Sequence, residues 1–378
     1  MMMPTNYTPH GMPYHDPAAI MPAGYLDGEY FEGDETYEGE YGGEYCADCD
    51  GDGGACASCL GLGGPACNAH WFDFHAEYMS LERQDVSRRV AFTQQGGNVV
   101  LSSDSLDFDQ EEAGMRLTAS FIFTPGYDLE VTYFGTFDKF HDSASVTGPN
   151  NLNSAFSDAA TNPAGGFLET DSASFHGIDY ASRIHNGEIN FRRRWANPQL
   201  RAQGSTLWGF RYFRLDEELG HDTVAAAVGE SLTYDLNTTN DLFGMQIGGD
   251  IYFCVLPGVM LGGEFEAGGY LNHVENYERI VASTVTDPIV SEIDDDDFAL
   301  VAEASLVSIV QLTKRMRLRT AYTLLYVEGV GLAMENFNPN RNFTAPNTTA
   351  PFTPNPEFLN SNGNVFYQGL TGGLEWVW

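Results

Sequence analysis

The stretch from Gly363 to Trp378, GNVFYQGLTGGLEWVW, constrains the fold more than any other. Counted back from its end, Trp378, Trp376, Leu374, Gly372 and Leu370 share one side of a period-2 strand, and Glu375, Gly373 and Thr371 share the other. Such a strand needs an apolar medium against one face and a polar one against the opposite face. The rest of the chain decides which media these are.

From His70 onward the same alternation returns in segment after segment, and no segment has a 3.6-residue period. Ten strands are expected, near 70–82, 114–124, 127–140, 175–194, 204–217, 240–254, 258–280, 295–312, 315–332 and 364–378. Their connections alternate between short and long. Thr124 to Gly126, Trp195 to Gln203, Leu256 to Gly258 and Leu312 to Lys314 are short, whereas 83–113, 141–174, 218–239, 281–294 and 333–363 are long. Along GMRLTASFIFTP, Met115, Leu117, Ala119, Phe121 and Phe123 oppose Arg116, Thr118 and Ser120. The other strands divide likewise, and their polar faces collect Arg116, Glu130, Asp138, Arg192, Arg194, Arg211, Glu264, Glu266, Glu303, Arg317 and Arg319.

A water-soluble sandwich would have to bury one face of each sheet as aliphatic core and could not hold so many charges inside it. A β-barrel in lipid reverses the arrangement, with apolar residues outside and polar ones within. The fold expected is therefore all-β: an antiparallel transmembrane barrel of about ten strands over residues 70–378. Its lumen is narrow, and opposed Arg and Glu or Asp side chains would form ion pairs across it. With an even strand count and alternating connections, both termini belong on the periplasmic side and the long loops outside. No run of about 18 apolar residues is present to make a transmembrane helix. Met1-Met2-Met3-Pro4 leads into polar sequence without a signal peptide, so the numbering is expected to start near the mature chain.

The segments FHGIDYASRIHNGEINFRRRW, TLWGFRYFRLDEEL, TTNDLFGMQIGGDIYF and GGLEWVW resemble the planctomycete-type putative β-barrel porin family of outer-membrane proteins. The likeness covers roughly 70–378, and NDLFGMQIG is its most specific part. It implies an outer-membrane barrel and no particular substrate.

Two segments precede the barrel. Residues 1–45 include a loose Tyr/Glu/Gly repeat from Tyr25 to Tyr45, too poor in aliphatics to order itself, and read as a flexible tail. Residues 46–69 carry Cys46, Cys49, Cys56, Cys59 and Cys67. The tandem CxxCxGxG resembles the zinc repeats of Hsp40-type chaperones, in which four thiolates hold one metal. A disulfide clasp fits the same cysteines in an oxidising envelope. Both readings stay open here.

The charge balance is acidic, with 53 Asp and Glu against 18 Lys and Arg and a formal net charge of −35. This argues against phosphate-led nucleic-acid binding. The run Asp294-Asp295-Asp296-Asp297, expected on an external loop, reads either as a charge run that discourages edge pairing or as a candidate calcium site of hard oxygen ligands. No G-x-S-x-G, P-loop or H-E-x-x-H is present, and the histidines are scattered, so no enzyme is expected. His75 is read as an interfacial aromatic. The expected partners are outer-membrane lipid, the machinery that assembles such barrels and, through the tail, other copies or envelope components. Two functions compete: a porin with a narrow charged lumen, and a structural anchor or envelope-assembly protein whose lumen is plugged.

Overall fold

A computed structural model describes residues 71–84, 89–107, 110–124, 126–154, 167–197, 199–313, 315–337 and 359–377. The tail, the cysteine module with Cys46, Cys49, Cys56, Cys59 and Cys67, and Trp378 lie outside the described residues. Among the described residues thirteen strands are present: β1 (Phe72–Arg83), β2 (Ala91–Gln95), β3 (Asn98–Ser102), β4 (Glu111–Thr124), β5 (Tyr127–Thr136), β6 (Phe140–Ser154), β7 (Ala173–Asn197), β8 (Ala202–Ala225), β9 (Glu230–Leu256), β10 (Val259–Ala282), β11 (Ile289–Thr313), β12 (Met316–Val330) and β13 (Gly363–Val377). A four-residue helix, α1 (Ala333–Asn336), follows β12.

Ten of these strands close into an antiparallel ring in the order β1, β4, β5, β7, β8, β9, β10, β11, β12 and β13. The seam is the pairing of β1 with β13, which runs from Asp73 opposite Val377 to Arg83 opposite Tyr367. Phe74 and Trp376 stack across it with ring centroids 6.5 Å apart. The closing strand anticipated at Leu370, Leu374 and Trp376 is therefore where the ring shuts, and Leu370 points outward.

An apolar belt encircles the ring. Every strand contributes an exposed large hydrophobic to it: Tyr78, Phe121, Val131, Ile189, Trp208, Ile247, Phe265, Leu306, Tyr322 and Leu370. Exposure of this kind on a closed sheet, with charge inside, is the surface a protein shows to lipid. The chain is thus a transmembrane β-barrel of the outer-membrane type.

A membrane crossing needs about 9–11 residues per strand. β7 to β11 are far longer, at 24 to 27 residues each. Beyond the belt their outward residues turn polar, as with Glu218 and Asp222 on β8, Asn237 on β9 and Glu275 on β10. The expected long loops 218–239 and 281–294 are consequently strand for much of their length, with the first hairpin turning only between Ala225 and Glu230. Those residues are polar because the strand has left the lipid, not because it has left the sheet. On the other side of the ring β1, β12 and β13 have 12 to 15 residues, so one wall stands tall and the other low. β5 pairs with the lower part of β7, from Tyr127 opposite Arg193 to Gly135 opposite His185. β6 resumes alongside the upper part, from Phe140 opposite Ser182.

β11 pairs with β12 only from Leu300 onward, so its upper part is a free edge. Asp294, Asp295, Asp296 and Asp297 sit on that edge, inside a strand and not on a loop. Successive strand residues point to opposite faces, so the four carboxylates cannot converge on one ion. Asp296 instead pairs with His273 at 2.8 Å, and Asp297 accepts a hydrogen bond from Ser361 Oγ at 2.5 Å.

Depth in lipid makes a direct test. Leu306→Arg, in the belt on β11, should destabilise the barrel by about 2–4 kcal/mol, as charges near the bilayer midplane do. Val228→Arg, in the exposed β8–β9 turn, should change stability by less than about 0.5 kcal/mol. Denaturant titration in phospholipid vesicles, followed by heat-modifiable gel mobility, distinguishes the two.

Candidate functional site

The inner faces of the ring strands meet in layers. Nearest the short turns, Tyr252, Met260, Val307, Ile309 and Ala321 pack together. At this end Arg194 pairs with Asp128 and, at 3.3 Å, with Asp73, and is the most exposed arginine of the inner face. Arg317 Nη1 lies 2.9 Å from Glu375 Oε1. His75 faces inward beside the same carboxylate, 3.5 Å away, and is not an interfacial aromatic. The reason is its parity: it lies on the side of β1 that carries Asp73 and Glu77.

Above lies a denser charge layer. Arg211 Nη2 donates to Glu188 Oε1 at 2.6 Å, Glu266 Oε2 at 3.0 Å and Glu303 Oε2 at 3.2 Å. Arg116 reaches across the ring from β4 to the same Glu303 on β11. Arg192 joins Glu130 at 2.8 Å and Asp250 at 2.6 Å, while Arg319 joins Glu77 at 2.9 Å and Glu264 at 2.6 Å. Gln246, Asn186 and Asn190 complete the shell of Glu188. Bonds between strands on opposite sides of the ring require side chains that point into the lumen.

The oxygens of Glu188, Glu266 and Glu303 lie within 4.8 Å of one another, as close as metal ligands would. The guanidinium of Arg211 already stands among them and supplies the positive charge. Asp138 does not join this layer. It sits exposed in the break between β5 and β6, where the alternation slips, and its carboxylate caps the Lys139 amide. In the described inner-face network, six arginines (116, 192, 194, 211, 317 and 319) face ten carboxylates, so acidic groups outnumber basic ones in these layers.

The next layer up is apolar. Leu81, Phe134, Ile184, Phe213, Leu215, Leu242, Val301, Val327 and Tyr367 belong to one contiguous buried cluster drawn from both walls of the ring. Phe213, Leu215, Leu242, Val327 and Tyr367 are wholly inaccessible to solvent. Arg83, at the top of β1, crosses to Glu217 on β8 at 2.6 Å, and its guanidinium lies 4.9 Å from the Tyr180 ring centroid.

Three connections then fold into the mouth, against the inner face of the tall wall. Val90, Phe92, Leu101 and Leu106 from the β2–β3 segment join Phe167 and, from the β12–β13 connection, Ala333, Met334 and Phe337. They pack on Ile178, Tyr180, Leu219, Leu232, Tyr234, Leu236 and Ile280 of the wall. This stopper was hidden in regions read as loops. One signal for it is visible in the chain: AFTQQ and NVVLS flank Gly96-Gly97, and both glycines take positive φ, +57° and +84°, as a two-residue hairpin turn demands.

Polar ties fix the stopper to the wall. Glu217 Oε2 accepts the Ala333 amide at 2.8 Å, so one carboxylate holds both Arg83 and the start of α1. Asn240 clasps Gly331 through both its N–H and C=O, each at 2.7 Å. Glu169 accepts the Thr284 amide at 2.8 Å. Thr93 Oγ1 is hydrogen-bonded with His176 Nδ1 at 2.7 Å, and His176 meets His221 edge to face with centroids 5.4 Å apart. These two histidines, far apart in sequence, are brought together by the β7–β8 register. Asp179, by contrast, points out of the barrel and Asp138 lies in the β5–β6 break, so neither assembles with His176 at the rim. A recess of about 400 Å³ between Trp208, Met245 and Leu300 opens on the lipid-facing surface, not on the lumen.

Arg211→Met would take the shared cation from buried Glu188 and Glu303 and half-buried Glu266 and should cost about 3–5 kcal/mol, as removal of one member of a buried ion cluster does. Arg214→Met, on the outer face and itself more exposed than its half-buried partners Asp216 and Asp241, should cost at most about 1 kcal/mol. Guanidinium unfolding of the detergent-solubilised protein measures the difference.

No curated protein matches the chain. Among solved structures it is similar to the outer membrane protease OmpT from Escherichia coli, at 10% identity over 82% of this chain and 97% of that one, with a TM-score of 0.45. It is similar also to a major outer membrane protein from Thermus thermophilus, at 9% identity over 82% and 100%, with a TM-score of 0.28. The translocator domain of the autotransporter NalP from Neisseria meningitidis matches at 10% identity over 81% and 88%, with a TM-score of 0.33. Residues 278–378, from the top of β10 through the closing strand, match the family model described as Putative beta barrel porin-7 (BBP7).

Proposed function

We propose that this protein is an outer-membrane β-barrel of the porin class whose channel is shut by its own connecting segments. The short turns then face the periplasm and the tall wall stands outside the cell. The family match over residues 278–378 supports the class. The observation that carries the closed state is the apolar layer around Phe213, Leu242 and Tyr367, continued upward by the stopper. Hydrated ions do not cross a dry apolar constriction. Passage therefore needs the stopper to leave and this layer to widen. Once open, the excess of carboxylates below selects cations over anions. No reaction is assigned to the protein in this reading. The same apolar layer favours one second reading, a membrane anchor that never conducts.

Planar-bilayer recording separates them. The intact protein should be silent at neutral pH. A variant with residues 90–106 replaced by a short Gly/Ser linker and carrying Phe213→Ala and Tyr367→Ala should show discrete steps. Its reversal potential in a salt gradient should have the sign of cation preference. Continued silence from that variant, with heat-modifiable mobility intact, would leave the anchor as the function.

A further inference from the structure

We propose that His176 and His221 make the stopper acid-labile: protonation of the pair, which lies between the tall wall and the β2–β3 hairpin, drives the hairpin out of the barrel mouth. The inference rests on the closed-barrel reading above. Both imidazoles are wholly buried on the inner face, well beyond the lipid belt. His176 touches Thr93 of the stopper through Nδ1, and its Nε2 meets no hydrogen-bond partner among the described residues. His221 donates from Nδ1 to the Gly177 carbonyl at 2.9 Å, and its ring lies 5.7 Å from that of Phe92 and 6.4 Å from that of Phe337. The stopper is thus seated directly on the two rings.

The surroundings offer little to a cation. β2 presents Thr93 and Phe92, and β6 places Val146 opposite His176. β9 places the Tyr234 phenol opposite His221. The acids of the surrounding elements, among the described residues, include Asp222, on the outer face of β8, Glu169, whose carboxylate is engaged by Thr284, Glu335 of α1, bonded to Asn360, and Glu278, buried on the inner face of β10 two strands from His221. Burial accordingly pushes His176 down to about 3, with the neighbouring His221 adding to the fall. Burial pushes His221 down to about 4, against the opposing pull of the Gly177 carbonyl and Asp222.

The sign follows from linkage. A histidine held neutral in the seated state and free to charge near pH 6.5 in the released state favours release as pH falls below about 6.5. The effect grows until the seated state itself protonates, near pH 4 for His221. Each histidine shifts the equilibrium about tenfold per pH unit in that window, and the pair together about a hundredfold. Two imidazolium rings at this separation would also repel one another in the seated state.

Amide hydrogen exchange in detergent micelles tests this without relying on current. After correction for intrinsic rates, protection of the Phe92 and Leu101 amides should fall by roughly 10²- to 10³-fold between about pH 6 and pH 4.5 relative to β9 wall amides. H176Q with H221Q should abolish that fall, and H221Q alone should halve its logarithmic slope. Should the double variant not fold, histidine NMR titration of the intact protein decides: both rings must stay neutral in the seated state at about pH 5. Protection that ignores pH, or that falls equally in the double variant, overturns the proposal. Parallel bilayer recordings of a Phe213→Ala, Tyr367→Ala variant keep the two readings apart, because release in acid without current from that variant would retain the switch and refute the pore.

Discussion

A strand in hydrocarbon has no water to satisfy its edge, and this requirement makes the sheet close on itself. Closure has consequences on both sides. Outside, each strand must offer lipid an apolar side chain at every second position, which the belt from Tyr78 to Leu370 does. Inside, ten strands enclose a space little wider than side chains can fill. Here they do fill it, first with arginines and carboxylates and then with Phe213, Leu242, Tyr367 and their neighbours. The tall wall extends the same logic past the membrane. Once its outer face meets water, its inner face can be a conventional apolar core, and the stopper completes that core.

The charge layer and the apolar layer fill the lumen by different means. The ion network holds the ring in register through bonds between distant strands, as Arg116 of β4 does with Glu303 of β11. Its stability comes from being fully engaged, since a buried ion without partners is costly. The apolar layer instead excludes water. Glu217 links the two regimes to the stopper, because its two oxygens serve Arg83 on the low wall and the amide of Ala333.

Much of this was legible from alternation alone. The ten ring strands, their inward arginines and acids, and the short turns follow from a period of two, which survives wherever lipid lies outside and charge within. Legibility failed where that contrast lapses. Above the lipid the outer faces of β8 and β9 turn polar while the inner faces mix Leu219 and Leu236 with Glu217, His221 and Thr238, so the alternation fades and the strands read as loops. Asp138 was misplaced because the break at Phe137 to Lys139 shifts the parity. Asp294 to Asp297 read as a loop because no strand pattern contains four acids in a row, yet a free edge tolerates them. The stopper was the least visible part. Its apolar residues are few and come from three connections, and only Gly96-Gly97 announces a turn. The meeting of His176 with His221 depends on register, which spacing within one strand cannot reveal.

The seam between β1 and β13 bears on how the protein comes to be folded at all. The tall hairpins β8–β9, β9–β10 and β10–β11 join neighbours in sequence and can form locally. The seam joins the two ends of the barrel sequence, so no local event can supply it. Until it forms, β1 and β13 are both bare edges, and Arg319 of β12 lacks its partner Glu77 of β1. Ring closure therefore also completes the ion pairs that cross it, Arg319 with Glu77 and Arg116 with Glu303. A half-zipped sheet is not a smaller barrel but an aggregation-prone intermediate, whose lifetime is set by the slowest contact in the chain.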